Sequence, residues 1–441
     1  MIKETKIIKI RDLLSNQYLN IPTYQRPYKW TIKNVNQLID DILFFKKRNA
    51  YRLGSIIIHK PENTEHTEHI VDGQQRTITL LLIAYALKKK GISDFSPKIN
   101  WEFDNPTSQS NIRTNYREIE KRIKEFDKLS TSFFLDKCEL VKIVCTEHSE
   151  AFQCFDAQNT RGKDLEPHDL LKAFHLRAMS SVSEIKKSQI VKEWERLAMD
   201  ELVGLFENYL FRIRNWSRGY SARFFTKSSI IVFKGISPNS QNTAPFAEVS
   251  RIAHFYIEKY NNDTDRSIDT HHFDYPFQLD ALILNGTRFF EFVEYYNTKI
   301  KNIALKSLLD IINYLNVDKS CEILKVISEY PAKDRRGDKY IRNLFNCALI
   351  FYIDKFGTTD IDKAIEKFFI WAYKLRLKHK AVKLATVDNY ALESQMFKTI
   401  REANSHKQIL NYPIQNISKI KSTKTEAIEN LFRSLEYYDE Q

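Results

Sequence analysis

One stretch limits what this chain can fold into more than any other: HIVDGQQRTITLLLIAYAL, residues 69 to 87. An apolar, β-branched run stops at Asp72 and Gly73, and three long polar side chains follow. Leu80 to Leu87 is then apolar on every face. A helix with no polar face must be buried, so the fold has to be built around this element. The run before it has the pattern of a strand. Gly73 permits the sharp turn between the two, and Thr77 is the expected N-cap.

Neighbouring segments supply the layers to bury that helix. IKETKIIKIRDLL reads as a strand running into a helix, and NVNQLIDDILFFKKR as an amphipathic helix. LGSIIIHK and EHIVD are expected as two strands of a hairpin around a polar loop. From about 100 to 200 helical patterns dominate, with one strand in CELVKIVCTE and a helix that opens on Pro167. Beyond 200 nearly every segment is helical. The 441 residues hold only 10 glycines and 11 prolines, which leaves little for long linkers. The expected fold class is α+β. An N-terminal α/β domain spans 1–195, a mostly helical middle region 196–330, and a helical C-terminal region 331–441. The last boundary is placed at the polar, turn-like YPAKDRRGDKY.

A net charge of +12 leans toward a polyanionic partner, although a lysine-rich solvated surface gives the same number. Cys138, Cys145, Cys154, Cys321 and Cys347 form no CxxC pair and have no metal-ligand spacing, so reduced thiols in a cytoplasmic protein are expected. The opening MIKETKIIKIRDLL carries charges throughout and does not read as a signal peptide. Ile78 to Leu87 is too short to span a bilayer, and no membrane role is expected.

Three polar junctions carry chemistry. In the first, the free N–H groups and positive dipole end of the helix after Gly73 favour an anion. Arg76 adds a fork-shaped cation for phosphate oxygens. Asp72 can bind Mg²⁺ or take a proton from water, and a glutamine (Gln74 or Gln75) can orient that water. A turn with capping side chains is the alternative. In the second, IPTYQRPYKW, two prolines stiffen a segment that presents Gln25 and Arg26. Tyr24, Tyr28 and Trp30 can stack on a base there, or pack on the core, as fits Trp30 better than Tyr24. The third, Gln158-Asn159-Thr160-Arg161-Gly162-Lys163, brings a glycine loop with cations to another helix start.

Taken in order and spacing, IPTYQRPYKW, LGSIIIHK with IVDGQQRTITLLLI, and FDAQNTRGKDLEPHDLLKA resemble the DUF262, or GmrSD-type, family of bacterial phage defence and modification-dependent restriction. ILNGTRFFEFVEYY and IWAYKLRL look similar as well. The resemblance implies a ParB/sulfiredoxin-like N-terminal fold whose DGQQR loop binds and hydrolyses nucleoside triphosphates. It assigns Asp72, Gln74, Gln75 and Arg76 to catalysis, with Asp72 as the Mg²⁺ ligand and Gly73 at the phosphates. Gln25 with Arg26, and Asn159 with Arg161, become the walls of the pocket, with Tyr24 and Lys163 beside them. The implied target is phage or modified DNA.

An HNH nuclease module, which several members of that family carry, is not recognisable here. His271-His272 lacks the ββα context such a site needs. Glu184 and Lys186 have the spacing of a PD-(D/E)xK pair but sit in what reads as a solvated helix start, and no P-loop occurs. A nuclease-bearing partner chain, of HNH type, is therefore expected. DNA contact is expected in YLFRIRNWSRGYSARFFTK, residues 209 to 227, where Arg212, Arg214, Arg218, Arg223 and Lys227 are interleaved with six aromatics and no acid. A core segment whose arginines reach outward is the alternative there. The first functional reading is an NTP-hydrolysing sensor chain of a restriction system. The second is an adaptor that holds nucleotide or modified DNA without hydrolysis, and the third is a chain that nicks DNA with the DGQQR site itself.

Overall fold

A computed structural model describes residues 2–22, 25, 27–61, 67–103, 105–146, 166–179, 182–237, 244–266, 271–306 and 308–439. The chain divides into two compact units. One comprises 1–165 with 180–195, and the other 166–179 with 196–441.

In the first unit, β1 (Ile2–Lys9) runs straight into α1 (Ile10–Leu14), followed by β2 (Leu19–Asn20) and α2 (Ile32–Phe45). Then come β3 (Tyr51–His59), β4 (Glu68–Asp72), α3 (Gln74–Lys89), α4 (Pro106–Arg122), α5 (Lys128–Asp136) and β5 (Cys138–Cys145). The sheet order is β1-β5-β3-β4-β2. β3 and β4 pair antiparallel, Ile58 opposite Ile70, as a hairpin requires. β5 inserts between β1 and β3, antiparallel to the first and parallel to the second. Ile56, Ile58, Ile70 and Val144 of the sheet share one core with Val35, Ile39 and Ile42 of α2 and with Leu80, Ile83, Ala84 and Leu87 of α3. The central helix is thus largely buried as far as Leu87, as an all-apolar stretch must be.

One sequence expectation is corrected, and one strand was not read from the sequence. The short β2, parallel to β4, carries no periodicity that two residues could display. The central helix starts at Gln74, three residues before the expected cap, because Gly73 itself caps it at φ +94°. Thr77 lies one turn inside, and its hydroxyl donates back to the Gly73 carbonyl at 2.9 Å.

The second unit is helical. The helices Arg336–Phe356 and Ile361–Lys378 pack on each other, and most of each is buried. Between them Arg376 donates to Asp338 at 2.8 Å, both side chains almost wholly out of water, and Arg335 and Tyr330 donate to the same carboxylate. The Pro167–Arg177 helix, with Pro167 at its first position, belongs to this unit. Cys138, Cys145 and Cys347 are buried free thiols; Cys154 lies outside the described residues. Among the described residues no helix is long and apolar enough to cross a membrane.

Candidate functional site

The junction of β4 and α3 gathers the first two polar motifs of the sequence. Gly73 takes a left-handed conformation in which a Cβ would sit 3.3 Å from the Ser55 carbonyl oxygen and from the Ile56 side chain. Any other residue would be strained in its own backbone and crowded against β3. This lets α3 start immediately after Asp72, so its first-turn N–H groups open beside that carboxylate.

Arg76, one turn in, folds back under β3. Its Nη1 donates to the Ser55 carbonyl at 3.1 Å. The guanidinium lies 3.1 to 3.2 Å from where a Cβ on Gly54 would stand, and Gly54 is at φ +116°. Burial pulls the Arg76 pKa down, while Asp72 and then Tyr51 hold it up. A desolvated cation beside a half-buried carboxylate is the electrostatic core of the corner. Gly54 was not singled out from the sequence. A glycine inside a β-branched strand, the usual mark of a close approach, was the signal for it.

Gln75 is committed elsewhere. Its Oε1 accepts the backbone N–H groups of Lys29 and Trp30 at 2.7 and 3.2 Å, and its Nε2 donates to the Pro27 carbonyl at 3.1 Å. Gln25 reaches the same strand end, donating to the carbonyls of Ile70 and Val71 at 3.2 and 3.1 Å. The two glutamines therefore clamp the IPTYQRPYKW segment against β4 and the start of α3. Gln74 is buried, 7% exposed.

Tyr28 is wholly buried, which removes it from base stacking. Asn115 donates to its hydroxyl at 3.0 Å, that hydroxyl pairs with Thr79 Oγ1 at 2.8 Å, and Thr79 donates to the Gln75 carbonyl at 2.9 Å. Ser108 and Asn111 bind the Tyr28 backbone. Such a chain of buried hydrogen bonds fixes the geometry cooperatively. Trp30 packs half-buried against the core. Tyr24, Arg26, Asn159, Arg161 and Lys163 lie outside the described residues.

In the second unit, the cations expected at DNA divide. Arg212 and Arg214 are 3% and 2% exposed, which corrects their assignment as phosphate contacts. Arg212 donates to Asn343, and Arg214 to the carbonyls of Val232 and Leu279 at 3.2 and 2.6 Å. Arg214 thereby satisfies two backbone carbonyls, and Arg212 a side-chain amide. Arg218, half-buried, donates to the Asp280 carbonyl at 3.2 Å. Arg223 donates to Asp388 at 3.0 Å and to Asn389 at 2.8 Å. His271 and His272 are exposed, and Glu184–Arg196 is a helix, so neither nuclease arrangement forms.

Known families account for most of the chain. Residues 10–176 match the GmrSD restriction endonuclease, N-terminal domain, and residues 186–428 match a family of unknown function, DUF7834. No curated protein matches it. The chain belongs to the DUF7834 family, and its N-terminal part is a GmrSD-type domain.

Proposed function

We propose that this chain, as a protein with a GmrSD-type domain, is the nucleotide-hydrolysing regulatory component of a DNA restriction system in phage defence, working with a separate HNH-type nuclease chain. One observation carries it: Asp72 and the desolvated Arg76 share the junction where β4, through left-handed Gly73, opens into the N-terminus of α3. The family match supports the restriction setting and DNA as the target.

Phosphoryl transfer needs positioning and charge neutralisation more than covalent chemistry. The first N–H groups of α3 receive a phosphate, Arg76 sets a positive charge behind Asp72, and Asp72 either holds the metal or accepts the proton of the attacking water. Gln74, at the first helical position, is the residue to orient that water. Gln75 and Gln25 are positioning residues, holding the 25–30 segment as a wall of the pocket. Among the described residues no group of three or more His, Cys, Asp or Glu is assembled, and Asp72 would be the residue to hold Mg²⁺. When bound, that ion would neutralise charge on the transferring phosphoryl group.

One feature favours a second reading, the non-hydrolysing adaptor. Gln25, Gln75 and Arg76 each spend polar atoms on the backbone, which suits a corner that holds a nucleotide rigidly. Phosphate release from each of the four NTPs with Mg²⁺, with and without plain or modified phage DNA, separates the two. Asp72→Ala should lower turnover by about 100-fold or more, and Arg76→Ala should abolish most of it. Absence of turnover in the wild-type chain that still binds nucleotide selects the adaptor. Nicking of DNA by the pure chain, lost in Asp72→Ala, would instead select the DGQQR site as a nuclease.

A further inference from the structure

The second unit carries a groove of about 680 Å³ that no family match assigns. One wall is the helix Phe211–Ser217, and the other is the short 3₁₀ helix Lys227–Phe233. The loop between them supplies Tyr220, Arg223 and Phe224. Tyr220 is 65% exposed, Phe224 66%, and Ile231 on the far wall 66%. Three large apolar side chains around one opening are more than chance exposure accounts for.

These rings do not stand on a loose loop. Gly219, at φ +79°, ends the first helix and turns Tyr220 outward. Beneath the loop lies Asp388, whose carboxylate is wholly buried. It accepts from Trp216 Nε1 at 2.9 Å, Ser221 Oγ at 2.7 Å, the Ala222 N–H at 2.7 Å and Arg223 Nε at 3.0 Å. Four bonds to one buried anion hold the residues between the two rings in one conformation. The exposed aromatics are therefore presented, preorganised, with Arg223 between them.

The chemistry of the walls says what they face. Among the residues that line the groove one, Arg223, is a cation and none is an acid. Thr226, Ser228 and Ser229 cluster their hydroxyls at 2.9 and 3.0 Å on the rim. The groove falls within the range of small-ligand sites, roughly 300–1,000 Å³. Both walls are helical, with no free strand edge on which an extended peptide could add. Rings on a fixed base, with one cation and a rim of hydroxyls and no carboxylate in the lining, match nucleobases joined by phosphates.

We infer that this groove takes single-stranded DNA, with bases stacking on Tyr220 and Phe224 and the backbone running past Arg223 and the Thr226 hydroxyl. Bases within a duplex are stacked on one another and offer no face to a side-chain ring, so the groove selects an unpaired or extruded stretch. The choice of DNA rests on the restriction reading above; the stacking geometry does not.

Fluorescence anisotropy on the full chain tests it, with a short fluorescein-labelled single strand and the matching duplex. Stacking contributes about 1–3 kcal/mol per base, so Tyr220→Ala and Phe224→Ala should each weaken the single strand by about 5- to 150-fold. Tyr220→Phe should retain affinity, and duplex binding should hardly change. Both side chains are exposed, and unchanged circular dichroism confirms that the variants fold. Unchanged single-strand affinity in both alanine variants, equal losses for strand and duplex, or no binding of the wild-type chain even at low salt each overturn the inference. Phosphate release without DNA, measured on the same variants, keeps the two hypotheses apart: turnover lost only through Asp72 leaves the groove standing, and strand binding lost only through the rings leaves the nucleotide corner standing.

Discussion

Each unit draws arginines away from water, and uses them differently. In the sheet unit, Arg76 lies under β3 beside Asp72, next to a glycine-made turn and a helix start whose N–H groups have no helical partner. In the helical unit, Arg212 and Arg214 sink between helices and close the accounts of an asparagine and two carbonyls. What separates them is the surroundings: a cation beside an acid and two glycines shapes a site, whereas a cation inside YLFRIRNW, with apolar residues on both sides, completes a core. Cation content alone therefore does not locate a polyanion surface. Our inference of one rests instead on the exposed rings at Tyr220 and Phe224.

The sharpest way to break that contrast is to remove one arginine from each unit. Arg214→Ala strands the carbonyls of Val232 and Leu279 and leaves a large cavity, so it should destabilise the chain by about 3 kcal/mol or more. Arg76→Ala strands one carbonyl near a solvated corner and should cost only about 1–2 kcal/mol, while removing turnover. Urea unfolding of both variants beside phosphate release checks this. Were Arg76→Ala to unfold as readily as Arg214→Ala, the corner would be core too.

Acid should weaken the helical unit through its buried histidines. His254, desolvated and facing Arg288, has its pKa pulled from 6.5 to about 4, and stacks near Tyr275. Burial holds His175 well below its usual value, with Nδ1 accepting the Gly286 N–H at 3.3 Å. A depressed folded pKa means that the unfolded chain takes up the proton first. The stability is present above pH 6.5 and is lost as pH falls toward 4, by about 3 kcal/mol for His254. Asp354, raised to about 6 chiefly by burial, acts in the opposite sense and is lost as pH rises. Comparing wild type with His254→Phe by urea midpoint between pH 7 and 4.5 isolates the histidine. A gap between them that does not shrink or grow with pH would remove it from the account.

Local pattern made much of the sheet unit legible. The β1–α1 run, α2, the β3–β4 pair and β5 are where periodicity places them, because each is long enough to show its period. The strand order was not legible: β5 enters between β1 and β3 through contacts between residues about a hundred apart. The corner was half legible. Asp72, Gly73 and Arg76 are adjacent in sequence and in space, but the role of Gln75 depends on Lys29 and Trp30, more than forty residues away. Gln75→Leu tests that role. It leaves two N–H groups and the Pro27 carbonyl without their partner, and should cost about 1–3 kcal/mol. It should also raise the nucleotide KM more than it lowers kcat, because the wall moves and the reacting groups stay; a pure kcat loss would return Gln75 to the chemistry.

Gly54 gives the finest test, since it touches no substrate in either reading. A methyl there would meet the Arg76 guanidinium at 3.1 to 3.2 Å, and φ +116° is strained for any side chain. The backbone strain should cost about 1–3 kcal/mol. The guanidinium is the flexible end of a side chain and will give way first, leaving its bond to the Ser55 carbonyl. If Arg76 acts on phosphate from that position, Gly54→Ala must lower turnover by more than its stability loss accounts for, while Gly91→Ala, also at positive φ (+67°) but with open space around it, must not. Equal effects of the two substitutions would mean that backbone strain alone was being measured, and that the place Gly54 makes for Arg76 has no part in function.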